Sequence, residues 1–298
     1  MNENEVNGCV GSLDTKTEQA MDRRRFGGLL ATSLIFPALA SMACASQGQR
    51  TGQPIPAGQV GSGPPGDHPP MHSGRRPEIA MVLYNGMTLL DTIGPMTALN
   101  AATQVYLVAE TKDPIIADTG NAILPTTTFD ECPKDLDVLF VGGGSFLVLK
   151  DKAMLRFIAD RGARAKYVTS VCSGSIVLGA AGLLKGYEAT SHWASRDLLP
   201  LFGAKPVDAR VVVDRNRMSG GGVTAGIDFG LTLLAKLVGE DVAKLSQLAM
   251  EYDPAPPFNS GSPKTADPEI VKRAKEWLGA MSVQHAQFVQ EVSQAMPK

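Results

Sequence analysis

Cys172 lies where an apolar stretch, Tyr167-Val168-Thr169-Ser170-Val171, runs into the small-residue segment Ser173-Gly174-Ser175-Ile176-Val177-Leu178. The first reads as a buried strand and the second as a helix, so the cysteine sits at a strand-to-helix turn. Such a turn lifts one side chain to the carboxyl edge of a sheet. It also places the sulfur near the first helical N–H groups, whose partial positive charge favours thiolate over thiol. Thiolate is the nucleophilic form. A free cysteine is more often a small buried hydrophobe. The Ser-Gly-Ser that follows lets the backbone turn sharply and a substrate approach, which favours the nucleophile.

Other residues have the chemistry to assist. Gly142-Gly143-Gly144 follows a second apolar strand, Asp137–Val141. Gly143 and Gly144 are expected to leave backbone N–H groups open toward a bound oxygen, as in an oxyanion hole. A phosphate loop is the rival, but no Gly-Lys-Ser/Thr ending follows. Asp91 stands among apolar residues in Leu89-Leu90-Asp91-Thr92-Ile93, an expensive place for an acid unless it is paired or functional. It either caps a helix or sits beside the sulfur as hydrogen-bond donor or proton shuttle. His192 is a candidate base or substrate contact, against the ordinary structural role of a lone histidine. Ser219-Gly220-Gly221-Gly222-Val223-Thr224 turns into a helix and serves either an anion at the helix start or tight packing. Asp228, one turn on, is a partner for the helix dipole. Cys132 is taken as structural.

The elements that must position these groups alternate. Strands are expected at 78–84, 104–109, 137–141 and 167–171, with a hairpin around Asp214-Arg215-Asn216. Helices are expected at 88–102, with Pro95 in a first turn, at 152–163, after Cys172, from 225 to 238, at 240–252 and at 268–295. Near-continuously apolar strands alternating with helices mean an α/β fold with a largely parallel sheet.

The first quarter reads differently. Arg23-Arg24-Arg25-Phe26 precedes an apolar run over 27–40, the pattern of a twin-arginine export signal. The run is short for a membrane span, so membrane contact is expected only through the signal. Ser41 spoils the lipobox before Cys44, so no lipid anchor is expected there. Residues before Met21 read as an upstream extension. Residues 46–76, rich in Gly, Pro, Ser and Gln, read as a disordered linker. His68 and His72 lie in it, and Pro69-Pro70 between them forbids a helical metal pair; no metal site is expected. The division is thus a signal region at 1–45, a linker at 46–76 and one folded domain at 77–298. Export implies a periplasmic location. A net charge of −2 gives no electrostatic case for nucleic acid.

Taken together, the motifs resemble the ThiJ/PfpI family of the class I glutamine amidotransferase-like superfamily, in its isonitrile hydratase pattern. They are Leu-Asp-x-x-Gly-Pro at 90–95, Val-Gly-Gly-Gly at 141–144, Val-Cys-Ser-Gly-Ser at 171–175, Gly-Ala-Ala-Gly-Leu-Leu-Lys-Gly at 179–186, Thr-Ser-His-Trp at 190–193, Ser-Gly-Gly-Gly-Val-Thr-Ala-Gly-Ile-Asp at 219–228 and Glu-Tyr-Asp-Pro-x-Pro-Pro-Phe at 251–258. The resemblance implies a flavodoxin-like three-layer sandwich with a cysteine nucleophile elbow, and a homodimer. It implies cofactor-independent hydration of a small-molecule isonitrile to a formamide, with Cys172, Asp91 and a hydroxyl at Ser173. Ser173 stands where threonine is frequent. A glyoxalase or deglycase reaction, and a non-enzymatic binding or redox-sensing module, are the alternatives on the same scaffold. The scaffold also forms the sensor half of AraC-type regulators, but the segment after 260 is one helical stretch without a helix-turn-helix pair or a basic face, which argues against DNA binding.

Overall fold

A computed structural model describes residues 73–295 of the chain. The expected export signal, nearly all of the expected linker, Cys44, His68 and His72 lie outside the described residues.

The chain opens with β1 (Glu78–Val82), α1 (Leu89–Leu99) and β2 (Gln104–Ala109). An excursion follows, made of the small hairpin β3 (Ile115–Ile116) and β4 (Ala122–Ile123), then β5 (Thr127–Thr128). Next come β6 (Val138–Val141), α2 (Lys152–Arg164), β7 (Tyr167–Val171) and α3 (Gly174–Ala180). Short strands β8 (Glu188–Ala189) and β9 (Lys205–Pro206) form a separate pair. The hairpin β10 (Val211–Asp214) and β11 (Arg217–Gly220) leads to α4 (Ala225–Val238), α5 (Glu240–Ala249) and α6 (Pro268–Ala295).

The main sheet has the order β10-β11-β7-β6-β1-β2-β5, and only the β10–β11 pair is antiparallel. Strand side chains alternate between two apolar layers, as the period of two requires. Val82, Leu139 and Val168 face Met154 and Ile158 of α2 and Ile176 of α3. Met81, Phe140 and Met218 face Leu99 of α1 and Phe229 and Leu233 of α4, with the Phe140 and Phe229 rings 5.7 Å apart. This is the expected flavodoxin-like sandwich. β1 lies between β2 and β6, so the chain leaves it in opposite directions. The crevice at such a switch point, beyond the carboxyl ends of the strands, is where open α/β sheets place ligands.

Two local readings need correction. Pro95 lies in the interior of α1, not in its first turn. There it deprives the Asp91 carbonyl of its helical donor, and α4 packs onto it through Gly226 and Gly230, where an added Cβ would lie 3.2 and 2.9 Å from Pro95 atoms. Asp91 is not the helix cap; Thr88 holds that position without a side-chain bond. The side-chain oxygen at the start of α1 comes instead from Asp118, in the β3–β4 loop, which accepts the Leu89 N–H at 3.1 Å. The excursion over 110–130 carries no motif in the sequence, yet it secures the helix that carries Asp91.

Candidate active site

Cys172 follows β7 directly and has φ +59°, a left-handed conformation that costs a non-glycine residue energy unless its surroundings impose it. They do so at both ends. The Cys172 N–H donates to the carbonyls of Gly220 and Gly221, at 3.1 and 2.8 Å. Its carbonyl accepts the Ser191 hydroxyl at 2.8 Å. A side chain at Gly174 would overlap the Val141 carbonyl oxygen, so the turn requires glycine there. Behind it runs a buried chain of hydroxyls. Ser170 and Ser175 lie 2.8 Å apart, Ser175 donates to the Thr190 carbonyl at 2.6 Å, and Ser219 accepts the Thr190 N–H at 2.8 Å. Buried polar groups bonded to one another in this way hold one geometry, although the Thr190 hydroxyl itself has no partner among the described residues. Together they fix the strand end, the elbow and the 188–195 segment as one unit.

Asp91 reaches the elbow from the first turn of α1 and is wholly buried. Its Oδ2 accepts the Gly143 N–H at 2.7 Å. Its Oδ1 is buried without a hydrogen-bond partner of regular geometry, and its titration is coupled to the Cys172 thiol. Burial raises the carboxyl from 3.8 to about 7, against the opposing pull of the Gly143 N–H and the thiol. Burial, with the Asp91 charge added, pushes the Cys172 thiol well above its ordinary range, and the N–H groups of Ser173 and Val223 offset this only in part. The helix-start N–H groups expected to favour thiolate are therefore outweighed by burial and Asp91, and both groups are pushed toward their protonated forms.

Ser173 is nearly buried, and its Oγ accepts the Gly144 N–H at 3.0 Å. The N–H groups of Gly143 and Gly144, expected to stand open as an oxyanion hole, are thus both engaged: one orients Asp91, the other Ser173. Gly143 is also the point of closest approach, since a Cβ there would lie 2.7 Å from Ser173 N and Oγ and 2.8 Å from Asp91 Oδ2. Tyr84, which carries no signal in the sequence beyond its place at the end of a strand, is buried with its hydroxyl on the Gly142 carbonyl at 2.9 Å. Burial and the nearby Asp91 and Cys172 hold that hydroxyl protonated.

His192 stands apart from this cluster. Its Nδ1 accepts the Ala194 N–H at 3.3 Å, its ring lies 5.5 Å from that of Trp193, and burial lowers its pKa. It packs beside Gly222 and lines an open cavity of about 450 Å³ that also touches Ser191, Gly221 and Val223. Two of its lining residues, Ser191 and Gly221, bond to the Cys172 backbone, so the cavity adjoins the elbow. Cys132 is buried and unbridged, its carbonyl held by Arg161 at 3.3 Å. Among the described residues no cluster of His, Cys, Asp and Glu could hold a metal ion.

The DJ-1/PfpI family profile matches residues 77–236, more than half of the chain. The chain belongs to the DJ-1/PfpI family. It is 51% identical to the isonitrile hydratase of Pseudomonas putida over 203 residues, which is 67% of this chain and 89% of that protein. It is 30% identical to the deglycase TK1284 of Thermococcus kodakarensis over 150 residues, 48% of this chain and 88% of the relative. Its fold matches the crystal structure of a ThiJ/PfpI family protein from Pseudomonas syringae with a TM-score of 0.71 and 47% identity, covering 80% of this chain and 98% of that one. These likenesses support an enzyme of hydratase type acting on a small molecule.

Proposed function

We propose that this DJ-1/PfpI protein hydrates an isonitrile, R–N≡C, to the N-substituted formamide, with Cys172 as nucleophile and Asp91 as the proton carrier. The observation that carries the reading is a thiol and a near-neutral carboxyl buried together at a strained turn whose glycine N–H groups are already engaged. Acyl transfer builds charge on oxygen and needs open N–H donors. Addition of a thiol to an isonitrile builds charge on the terminal carbon and needs a proton delivered there. A carboxyl titrating near the working pH suits that delivery.

In the first step Asp91 takes the thiol proton as the sulfur bonds to the terminal carbon, and the same carboxyl delivers a proton to that carbon. The product is a thioimidate, R–N=CH–S–Cys172. Water then adds to the carbon, the nitrogen takes a proton, and the C–S bond breaks. The formamide leaves and the sulfur regains its proton through Asp91. Ser173, beside the elbow and bonded to Gly144, presents a hydroxyl to the water that attacks. The scheme uses no metal or organic cofactor.

The test is formation of N-cyclohexylformamide from cyclohexyl isocyanide by the reduced protein. Cys172→Ala is expected to abolish it while leaving the fold intact, and retained turnover would defeat the assignment. A deglycase or glyoxalase reaction is the second reading, favoured by the identity to deglycase TK1284. Cys172-dependent lactate from methylglyoxal, with no formamide, would replace the first.

Two further parts belong to the proposal. Leu90, Ile116, Leu124 and Leu147 are exposed on segments tied together through Gly86 and Asp118, an apolar rim suited to a homodimer. Sedimentation of Leu147→Asp, expected to shift toward monomer, checks it. The arginines at 23–25 direct export to the periplasm, and a change of Arg23 and Arg24 to lysine is expected to leave the protein in the cytoplasmic fraction.

A further inference from the structure

We infer that the cavity beside Cys172 selects isonitriles whose R group carries a carboxylate, with Lys264 supplying the charge that sets the preference. The inference rests on the hydratase reading for the reaction, though the cavity's charge preference is testable without it.

An isonitrile is linear through C, N and the first atom of R. With its terminal carbon on the Cys172 sulfur, R must run away from the elbow. The cavity lined by Ser191, Gly221, Gly222 and Val223 adjoins the elbow, since Ser191 and Gly221 bond to the Cys172 backbone, and we take it as the space that receives R. At about 450 Å³ it falls in the range that holds an extended organic group rather than a methyl. Trp193, Ala209 and Pro263 give it apolar wall.

Its charged lining comes from three separate segments. Arg196 follows the His192 turn, Arg210 precedes β10, and Lys264 precedes α6. Two carboxylates answer these three cations. Asp208 receives both Arg196 at 2.6 Å and Lys264 at 2.8 Å. Asp228 receives Arg210 at 2.6 Å, and its Oδ2 also accepts the Tyr252 hydroxyl at 3.0 Å. His192 is kept neutral by burial. One positive charge is left in excess, which a single carboxylate on the ligand would neutralise. The excess traces to Lys264, because Arg196–Asp208 and Arg210–Asp228 are balanced pairs without it. Pro263 and Lys264 lie beyond the 77–236 segment that the family profile matches.

The test compares kcat/KM for cyclohexyl isocyanide, isocyanoacetate and its methyl ester in wild type and Lys264→Gln. Lys264 is mostly exposed and its removal leaves Arg196 on Asp208, so the fold is expected to hold. One unbalanced charge at a partly screened site is worth roughly a fivefold to tenfold preference for the acid over the ester. That preference should lie in KM and vanish in K264Q, with the ester unaffected. An ester used as well as the acid by wild type overturns the inference. A second readout does not depend on hydration. The ratio of Cys172 alkylation rates by iodoacetate and iodoacetamide, read by mass spectrometry at that site, should be several-fold higher in wild type than in K264Q and should converge in 0.5 M salt. Both proteins share the repulsion from Asp91, so it cancels. Equal ratios overturn the inference. If cyclohexyl isocyanide is not hydrated at all, the hydratase reading fails and the alkylation ratio still decides the cavity's preference.

Discussion

Two glycine triplets flank the elbow. Gly142–Gly144 follows β6 and Gly220–Gly222 closes β11, and these strands lie on either side of β7. In the sequence they look alike, and the first resembles an oxyanion hole more than the second does. In the structure the roles differ in the other direction. The first triplet is closed, its N–H groups spent on Asp91 and Ser173. The second accepts the Cys172 N–H, and the turn it begins brings the Val223 N–H to the sulfur and opens on the cavity. Glycine content states only that backbone comes close to something. Which side chains stand opposite decides whether that backbone holds catalytic groups in place or leaves room for a ligand.

The largest effect should come from the group the closed turn holds. Asp91→Asn keeps an acceptor for the Gly143 N–H and removes the proton carrier. Its kcat for formamide is expected to fall by about 10³-fold, within the range for loss of a general acid–base. The same change should act oppositely on stability. The folded carboxyl, at about 7, holds its proton more tightly than the ordinary 3.8 of an exposed acid. Its contribution is therefore fully present below the lower value and is lost as pH rises through the higher one. The Tm of Asp91→Asn relative to wild type should climb between pH 4 and pH 7 and exceed it at pH 8. A flat difference would mean that the carboxyl is not buried at the cost described.

Gly143→Ala tests the closed turn itself. The new methyl would press on Ser173 and Asp91 at once, at 2.7 and 2.8 Å. Either the turn or both side chains must move. A displacement of this size at reacting groups costs about 10²-fold in rate, and the overpacking costs roughly 1–3 kcal/mol in stability. Normal activity in Gly143→Ala would show that the contacts at this turn do not position the site.

Tyr84→Phe acts on the same turn from behind. It leaves the buried Gly142 carbonyl without its donor, a loss of about 1–3 kcal/mol. As a positioning residue, Tyr84 should affect kcat about tenfold with KM little changed, and the pH at which kcat falls should move with Asp91. Loss of stability alone, at unchanged kcat, would make the tyrosine merely structural.

The elements themselves were legible because they obey local rules. Near-continuous apolar runs gave β1, β2, β6 and β7 within a few residues, and the Asp214-Arg215-Asn216 hairpin was evident from its turn. Cys172 was legible because a small-residue helix after an apolar strand admits one geometry. What escaped depends on contacts distant in sequence. Asp118 caps α1 across 29 positions, and Tyr84 meets Gly142 across 58. The protonation of Cys172 escaped for the same reason. The local helix start argues for thiolate, whereas burial and Asp91, brought in from α1 far back in the chain, argue for thiol and prevail.

The open triplet should yield the smallest effect. A methyl at Gly221 meets nothing closer than the Arg210 carbonyl at 3.5 Å, with the Ala209 carbonyl at 3.7 Å and the Ala225 methyl at 3.8 Å, all ordinary contacts. Neither its space nor its backbone demands glycine, and the Cys172 N–H bond to its carbonyl survives the change. Gly221→Ala is therefore expected to alter stability by no more than about 0.5 kcal/mol, as for a substitution that touches no special feature. Its kcat should stay within about twofold of wild type, while KM for a bulky isonitrile rises modestly because the methyl projects beside the cavity wall. Set against Gly143→Ala, this pair isolates the difference between the turns: the same methyl, one strand over, disabling in one and tolerated in the other. Equal damage from both would mean that the two triplets share one function, and that the closed and open roles drawn from their neighbours are wrong.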